Sequence, residues 1–74
     1  MAKYNGYANR DTWLVCLWLT NDALNYQKAK KNKKLLLKMK KSALIRALKS
    51  FQYKDKINWN NVRVTEVKAC IREI

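Results

Sequence analysis

The sequence predicts a small all-α domain of about four helices. Only one glycine and no proline interrupt its 74 residues, and these are the residues that most often mark turns. Leucine, lysine and alanine, which favour helices, dominate the centre of the chain. A chain of this length has room for one core and buries roughly 60% of the surface that its unfolded form exposes. We therefore expect residues 1–74 to form one helical domain that folds alone or as a small homo-oligomer.

The first helix is expected at about residues 10–20, in the apolar segment around Trp13. Asn9 is a suitable N-cap, and Asp11 would lie in the first turn, where a negative charge interacts favourably with the helix dipole. A buried strand is the alternative for residues 13–19, because a short apolar run fits either structure. The presence of the cap favours the helix.

A second helix is expected to begin after Asn21 and Asp22, which interrupt the apolar run and offer another N-cap. It contains Leu24 and Tyr26 and continues into the lysine-rich segment without a clear end.

A long amphipathic helix is predicted over residues 35–51, where apolar residues recur with the period of an α-helix. The residues on its expected core side are Leu36, Leu37, Ala43, Leu44, Ala47, Leu48 and Phe51.

The end of the chain is expected to form a short turn and a last helix. Asn58 is a candidate cap for a turn that carries Trp59 and Val62. Thr65 is a candidate N-cap of the final helix, with Glu66 in its first turn. The apolar face of that helix would consist of Val67, Cys70, Ile71 and Ile74.

One shared core is expected for these helices. Its predicted members are Trp13, Leu17, Trp18, Leu44, Leu48 and Ile71. Truncating Trp18 to Ala in such a core would cost about 3 to 5 kcal/mol. The two cysteines, Cys16 and Cys70, belong to no C-x-x-C pair, so we predict two buried, reduced thiols, with a disulfide or a reactive thiol as the alternative.

The segment from Tyr4 to Asp22 carries the pattern Y-N-G-Y-x-N-x-x-T-W-x-V-x-L-W-x-x-N-D. It resembles a family of small uncharacterised proteins that occur widely in bacteriophages and plasmids. The later INWNNV is similar to an Asn/Asp-Trp segment near the end of those proteins, many of which carry acidic residues where this chain has lysine. The resemblance implies a phage or mobile-element origin and a small helical domain, and it implies no activity.

The tyrosines of this motif have two interpretations. Tyr4 and Tyr7 would supply apolar area to a small core. Alternatively, they are exposed and stack on the bases of single-stranded nucleic acid.

Catalysis is not expected. The chain contains no histidine, the commonest general base and metal ligand, and no phosphate-cradling or nucleophile motif. Asp11 and Asp22 are too far apart on one helix to act as a pair of carboxylates. We therefore predict a protein that is not an enzyme and needs no cofactor, metal or small-molecule substrate.

Positive charge is the strongest functional signal. The net charge is +12, and residues 28–56 contain twelve basic residues against a single acid, Asp55. Such a surface is expected to bind a polyanion. The predicted contacts, several of which share one flank of the long helix, are Lys28, Lys30, Lys31, Lys34, Lys38, Lys41 and Lys49. The alternative is a solvated lysine surface that reflects an AT-rich gene.

Two functions fit this charge. The first is binding to the phosphate backbone of nucleic acid with little sequence preference, since lysine outnumbers the arginine that reads bases. The second is a phage effector that binds an acidic host protein or a nucleic-acid-handling complex and inhibits or modulates it. A membrane role is disfavoured because the leucines are needed in the core. The sequence shows no membrane span or signal pattern, which predicts the cytoplasm, that of the host if the gene is phage-borne.

Overall fold

A computed structural model describes residues 5–74, which form five α-helices and one 3-10 turn. The helices are α1 Arg10–Asn21, α2 Ala23–Lys31, α3 Lys33–Lys38, α4 Lys41–Leu48 and α5 Val64–Arg72, and the 3-10 turn is Trp59–Asn61. No strand is present in this part of the chain. The predicted all-α fold is therefore confirmed. The prediction for Tyr4 lies outside the described residues.

Helix α1 begins where the cap predicted it. The Asn9 side-chain oxygen accepts a hydrogen bond of 2.9 Å from the backbone N–H of Thr12, and Asp11 lies in the first turn. The strand alternative for residues 13–19 is wrong, because these residues lie within the helix.

The predicted core side of α1 is wrong. Val15, Cys16 and Leu19 belong to the core cluster of the described residues, whereas Trp13, Leu17 and Trp18 are half-buried and do not. All seven residues from 13 to 19 are apolar, so the sequence cannot show which side packs inward. The indole N–H of Trp18 instead donates to Asp55 Oδ2 at 3.0 Å, and the Lys54 ammonium lies 5.5 Å from its ring centroid.

The buried side chain of Asn25 stabilises the junction between α1 and α2 through hydrogen bonds. Asp22 caps α2 by accepting from the backbone N–H of Asn25 at 3.0 Å. The Asn25 side chain, only 2% exposed, donates to the carbonyls of Trp18 and Gln52 and accepts from the N–H of Gln52. The hydrogen bonds to Gln52 connect the segment after α4 to this junction.

The long helix predicted over residues 35–51 is broken. Met39 and Lys40 are extended, with ψ of 144° and 166°, so α3 ends at Lys38 and a separate helix, α4, begins at Lys41. Helix α4 ends at Leu48, before the predicted end at residue 51. On one straight helix Leu36 and Phe51 would be about 22 Å apart, whereas the break lets both reach the same core. Of the other expected core residues, Leu44 and Leu48 are buried, Leu37 and Ala47 are half-buried, and Ala43 is exposed.

The 3-10 turn is capped as predicted, since the Asn58 side chain accepts from the N–H of Asn60 at 3.1 Å. The predicted cap of the last helix is wrong: Thr65 lies inside α5, whose N-cap position is Arg63. The helix starts early because the N–H of Arg63 donates to Thr12 Oγ1 at 3.0 Å, which fixes this point against α1. Glu66, in the first turn, accepts from the N–H of Ala8.

The core collects side chains from all five helices and the loop between α4 and α5. Its buried members are Val15, Cys16, Leu19, Ala29, Leu36, Leu44, Leu48, Phe51, Val62, Val67, Cys70 and Ile71. The predicted core positions of Leu44, Leu48 and Ile71 are confirmed. Within residues 5–74, every helix is too short or too polar to cross a membrane.

The two cysteines are buried and free, as predicted. The Cys70 thiol contacts the Cys16 carbonyl, with 3.9 Å between Sγ and O. Interaction with the Cys70 thiol, together with burial, raises the pKa of Cys16, and interaction with the Cys16 thiol lowers the pKa of Cys70. Burial also raises the pKa of the neighbouring Tyr7 to about 12.

Native protein is expected to react slowly with a thiol reagent, because a reagent reaches a thiolate only where the sulfur is exposed. Both thiols should react rapidly once denaturant unfolds the chain. The time course of labelling, followed by mass spectrometry with and without denaturant, checks this. Complete labelling of Cys16 or Cys70 within seconds in the folded protein would contradict their burial.

Candidate polyanion-binding surface

Helix α4 has a core side and a basic outer side. Leu44 and Leu48 point into the core. Lys41, Ile45 and Lys49 follow one another at intervals of four residues, which places them along one strip of the helix. Ser42 and Arg46 form a second strip beside it. Ile45 is half-buried, and the other four residues are exposed.

This outer side forms a shallow, open depression of about 570 Å³. The residues that line it, which we call the α4 surface, are Lys40, Lys41, Ser42, Ile45, Arg46 and Lys49. Four of the six are basic and none is acidic. Ammonium and guanidinium groups donate charge-assisted hydrogen bonds to phosphate or carboxylate oxygens. The depression is therefore suited to a group with several negative oxygens.

The three aspartates of the chain are engaged away from the α4 surface. Asp11 accepts from the N–H of Asn58 and the side chain of Asn61, and Asp22 caps α2. The single ion pair of the described region joins Arg10 and Asp55, with 4.0 Å between Nη2 and Oδ1. No carboxylate thus lies within ion-pair distance of the basic residues of α2, α3 or α4 in this region, so these residues are free to pair with an external anion.

The structure divides the seven predicted contacts among three helices and the turn after α4. Lys41 and Lys49 belong to the α4 surface. Lys30 and Lys31 lie on α2, Lys34 and Lys38 lie on α3, and all four are exposed. The continuous helix on which these lysines would share one flank is absent, because the chain breaks at Met39 and Lys40.

Lys28 has structural contacts. Its ammonium donates to the Ser50 hydroxyl at 2.9 Å and to the Ser50 carbonyl at 3.2 Å. It also lies 4.7 Å from the ring centroid of Phe51. Lys28 therefore links α2 to the end of α4.

Lys40 and Arg46 are not among the contacts predicted from the sequence. The predicted contacts depend on lysine spacing along one long helix, whereas the α4 surface depends on where α4 begins and which of its sides faces the core. Two pairs spaced by four residues, 42 with 46 and 45 with 49, indicate the outer side once the helix is placed. Among residues 5–74, no three His, Cys, Asp or Glu side chains are grouped to hold a metal ion.

Comparison with known proteins gives a family match alone. The model of a family described as being of unknown function (DUF7249) matches residues 1–74. No curated protein and no solved structure matches the chain.

Proposed function

The chain belongs to DUF7249, a family of unknown function, and we propose that its α4 surface binds the phosphate backbone of nucleic acid with little sequence preference. The observation that supports this most is the convergence of Lys40, Lys41, Arg46 and Lys49 around one depression that no acidic residue lines. Lysine is a mobile point charge without the fixed fork that reads guanine. Binding of this kind depends on charge more than on base sequence.

Affinity for duplex DNA is expected to fall steeply with salt. If the four basic residues of the α4 surface each neutralise one phosphate, the slope of log affinity against log salt should be about −3.6 or steeper. Fluorescence anisotropy on two unrelated random duplexes and on a single strand, over a range of salt concentrations, measures this slope. The two duplexes should bind almost equally.

The same titration can overturn the proposal. Dissociation constants weaker than about 100 μM at near-physiological salt would lie beyond the range of non-specific DNA binding. A slope of log affinity against log salt near zero would show that the binding does not depend on charge.

A second candidate function is binding to an acidic protein. It is favoured by two exposed apolar side chains on the basic helices, Leu24 at 73% and Leu35 at 58% exposure. Apolar anchors surrounded by charge suit a protein interface, whereas a phosphate backbone offers them no partner. A nuclease-resistant protein captured by the parent chain and lost from a Leu35→Ser variant would favour this function over the first.

The resemblance of residues 4–22 to proteins of phages and plasmids supports a further part of the proposal. We propose that the gene is carried by a mobile element and that the protein acts without catalysis in the cytoplasm of the host. The absence of histidine from the sequence supports the non-catalytic role.

A further inference from the structure

A polar pocket of about 270 Å³ adjoins the α4 surface. The residues that line it come from the N-cap of α1, the start of α4, and the segment from the 3-10 turn to the N-cap of α5: Asn9, Lys41, Asn60, Asn61, Val62 and Arg63. Lys41 lines both this pocket and the α4 depression. The two concave surfaces are therefore neighbours that share this side chain.

Helix α1 holds the wall of the pocket in place. The Asn9 side chain donates to the Asn61 carbonyl at 2.7 Å, and the Asn61 side chain donates to Asp11 Oδ2 at 3.2 Å. The backbone N–H of Arg63 donates to Thr12 Oγ1. These bonds fix the backbone of residues 61–63 without using the side chains of Asn60 and Arg63.

Three donor side chains of the pocket have no partner among residues 5–74: the Lys41 ammonium, the Asn60 amide and the Arg63 guanidinium. All three residues are exposed. No acidic residue lines the pocket. The two oxygens of Asp11 accept from Asn58 and Asn61, and Glu66, in the first turn of α5, accepts from the N–H of Ala8. The pocket thus offers two positive charges and a neutral donor to an anion.

We propose that this pocket binds one backbone phosphate of the nucleic acid held by the α4 surface. The Arg63 guanidinium and the Asn60 amide donate to the phosphate oxygens, and Lys41 lies between this phosphate and those along α4. A phosphate accepts donors from several directions, which suits side chains that arrive from two elements. The inference rests on the proposed function and extends the interface from α4 to the turn before α5.

Two variants test the pocket while leaving its backbone bonds intact. With a fifth phosphate the parent slope should be about −4.5, and Arg63→Gln should return it to about −3.6 and weaken binding about fivefold at 0.15 M salt. Asn60→Ala keeps the charge, so it should weaken binding about threefold, as expected for one lost hydrogen bond, without changing the slope. Arg72→Gln removes the same charge from the end of α5 and is the matched control, for which little change is expected.

The outcomes separate the pocket from the proposed function. If Arg63→Gln binds as the parent does, or if it and Arg72→Gln weaken binding equally, the pocket is contradicted and the α4 surface is not. Full affinity of Asn60→Ala would also contradict the pocket, because Arg63 would then act as a surface charge alone. If the parent protein fails to bind DNA, both proposals are wrong. Melting temperatures within about 2 °C of the parent show that each variant is folded.

Discussion

Replacing Leu48 by Ala is expected to lower the free energy of unfolding by about 2 to 5 kcal/mol. Leu48 is fully buried in the core cluster, on the side of α4 opposite the basic residues. Its truncation removes apolar contacts and leaves a cavity that rigid neighbours fill only in part. For a domain of this size the melting temperature should fall by about 10 °C or more, which circular dichroism measures.

The matched control is Leu24→Ala. It makes the same chemical change at a leucine that is 73% exposed, and surface changes of this kind usually alter stability by less than about 0.5 kcal/mol. Equal melting temperatures for the two variants would contradict the placement of α4 against the core. The full cost of a core truncation is therefore expected at Leu48 and not at Trp18, which lies outside the core cluster.

Changing Lys41, Arg46 and Lys49 together to Gln is expected to weaken DNA binding on the order of 100-fold at about 0.15 M salt. Each residue is predicted to neutralise one phosphate, so the slope of log affinity against log salt should become shallower by about 2.7. All three side chains are exposed, so the fold should be retained. Fluorescence anisotropy on a random duplex measures both quantities.

The control for this triple variant changes Lys30, Lys34 and Lys38 to Gln. It removes the same charge from α2 and α3, from exposed residues that do not line the α4 surface. We expect it to keep most of the affinity. Equal losses from the two triple variants would show that net charge, and not the α4 surface, governs binding, and a larger loss from the control would place the interface on α2 and α3.

Local cap signals predicted three helix or turn starts correctly, whereas the predicted cap at Thr65 is wrong. Asn9, Asp22 and Asn58 accept hydrogen bonds from N–H groups two or three residues further on, and such a bond depends on little beyond the adjoining residues. The break at Met39 and Lys40 has no such signal, since neither glycine nor proline occurs there. The break allows Leu36 and Phe51 to pack in the same core. This is a matter of tertiary packing, which the local sequence does not show.

Only part of the candidate site could be predicted from the sequence, because its geometry depends on tertiary packing. The excess of charge in residues 28–56 is visible in the sequence, whereas the grouping of Lys40 and Arg46 with Lys41 depends on where α4 starts. The structural contacts of Lys28 depend on Ser50 and Phe51, which α2 meets only in the folded chain. Arg63 joins the surface because Thr12 fixes the start of α5.

The most direct test of the account is to map the binding surface by NMR. Backbone amide shifts of ¹⁵N-labelled protein are recorded while a random DNA duplex is added. We predict that the largest changes fall on residues 40–49 and 60–63, and that residues 23–38 change little. Changes concentrated on residues 23–38, or no change at DNA concentrations above about 100 μM, would contradict the claim that the α4 surface binds the nucleic acid backbone.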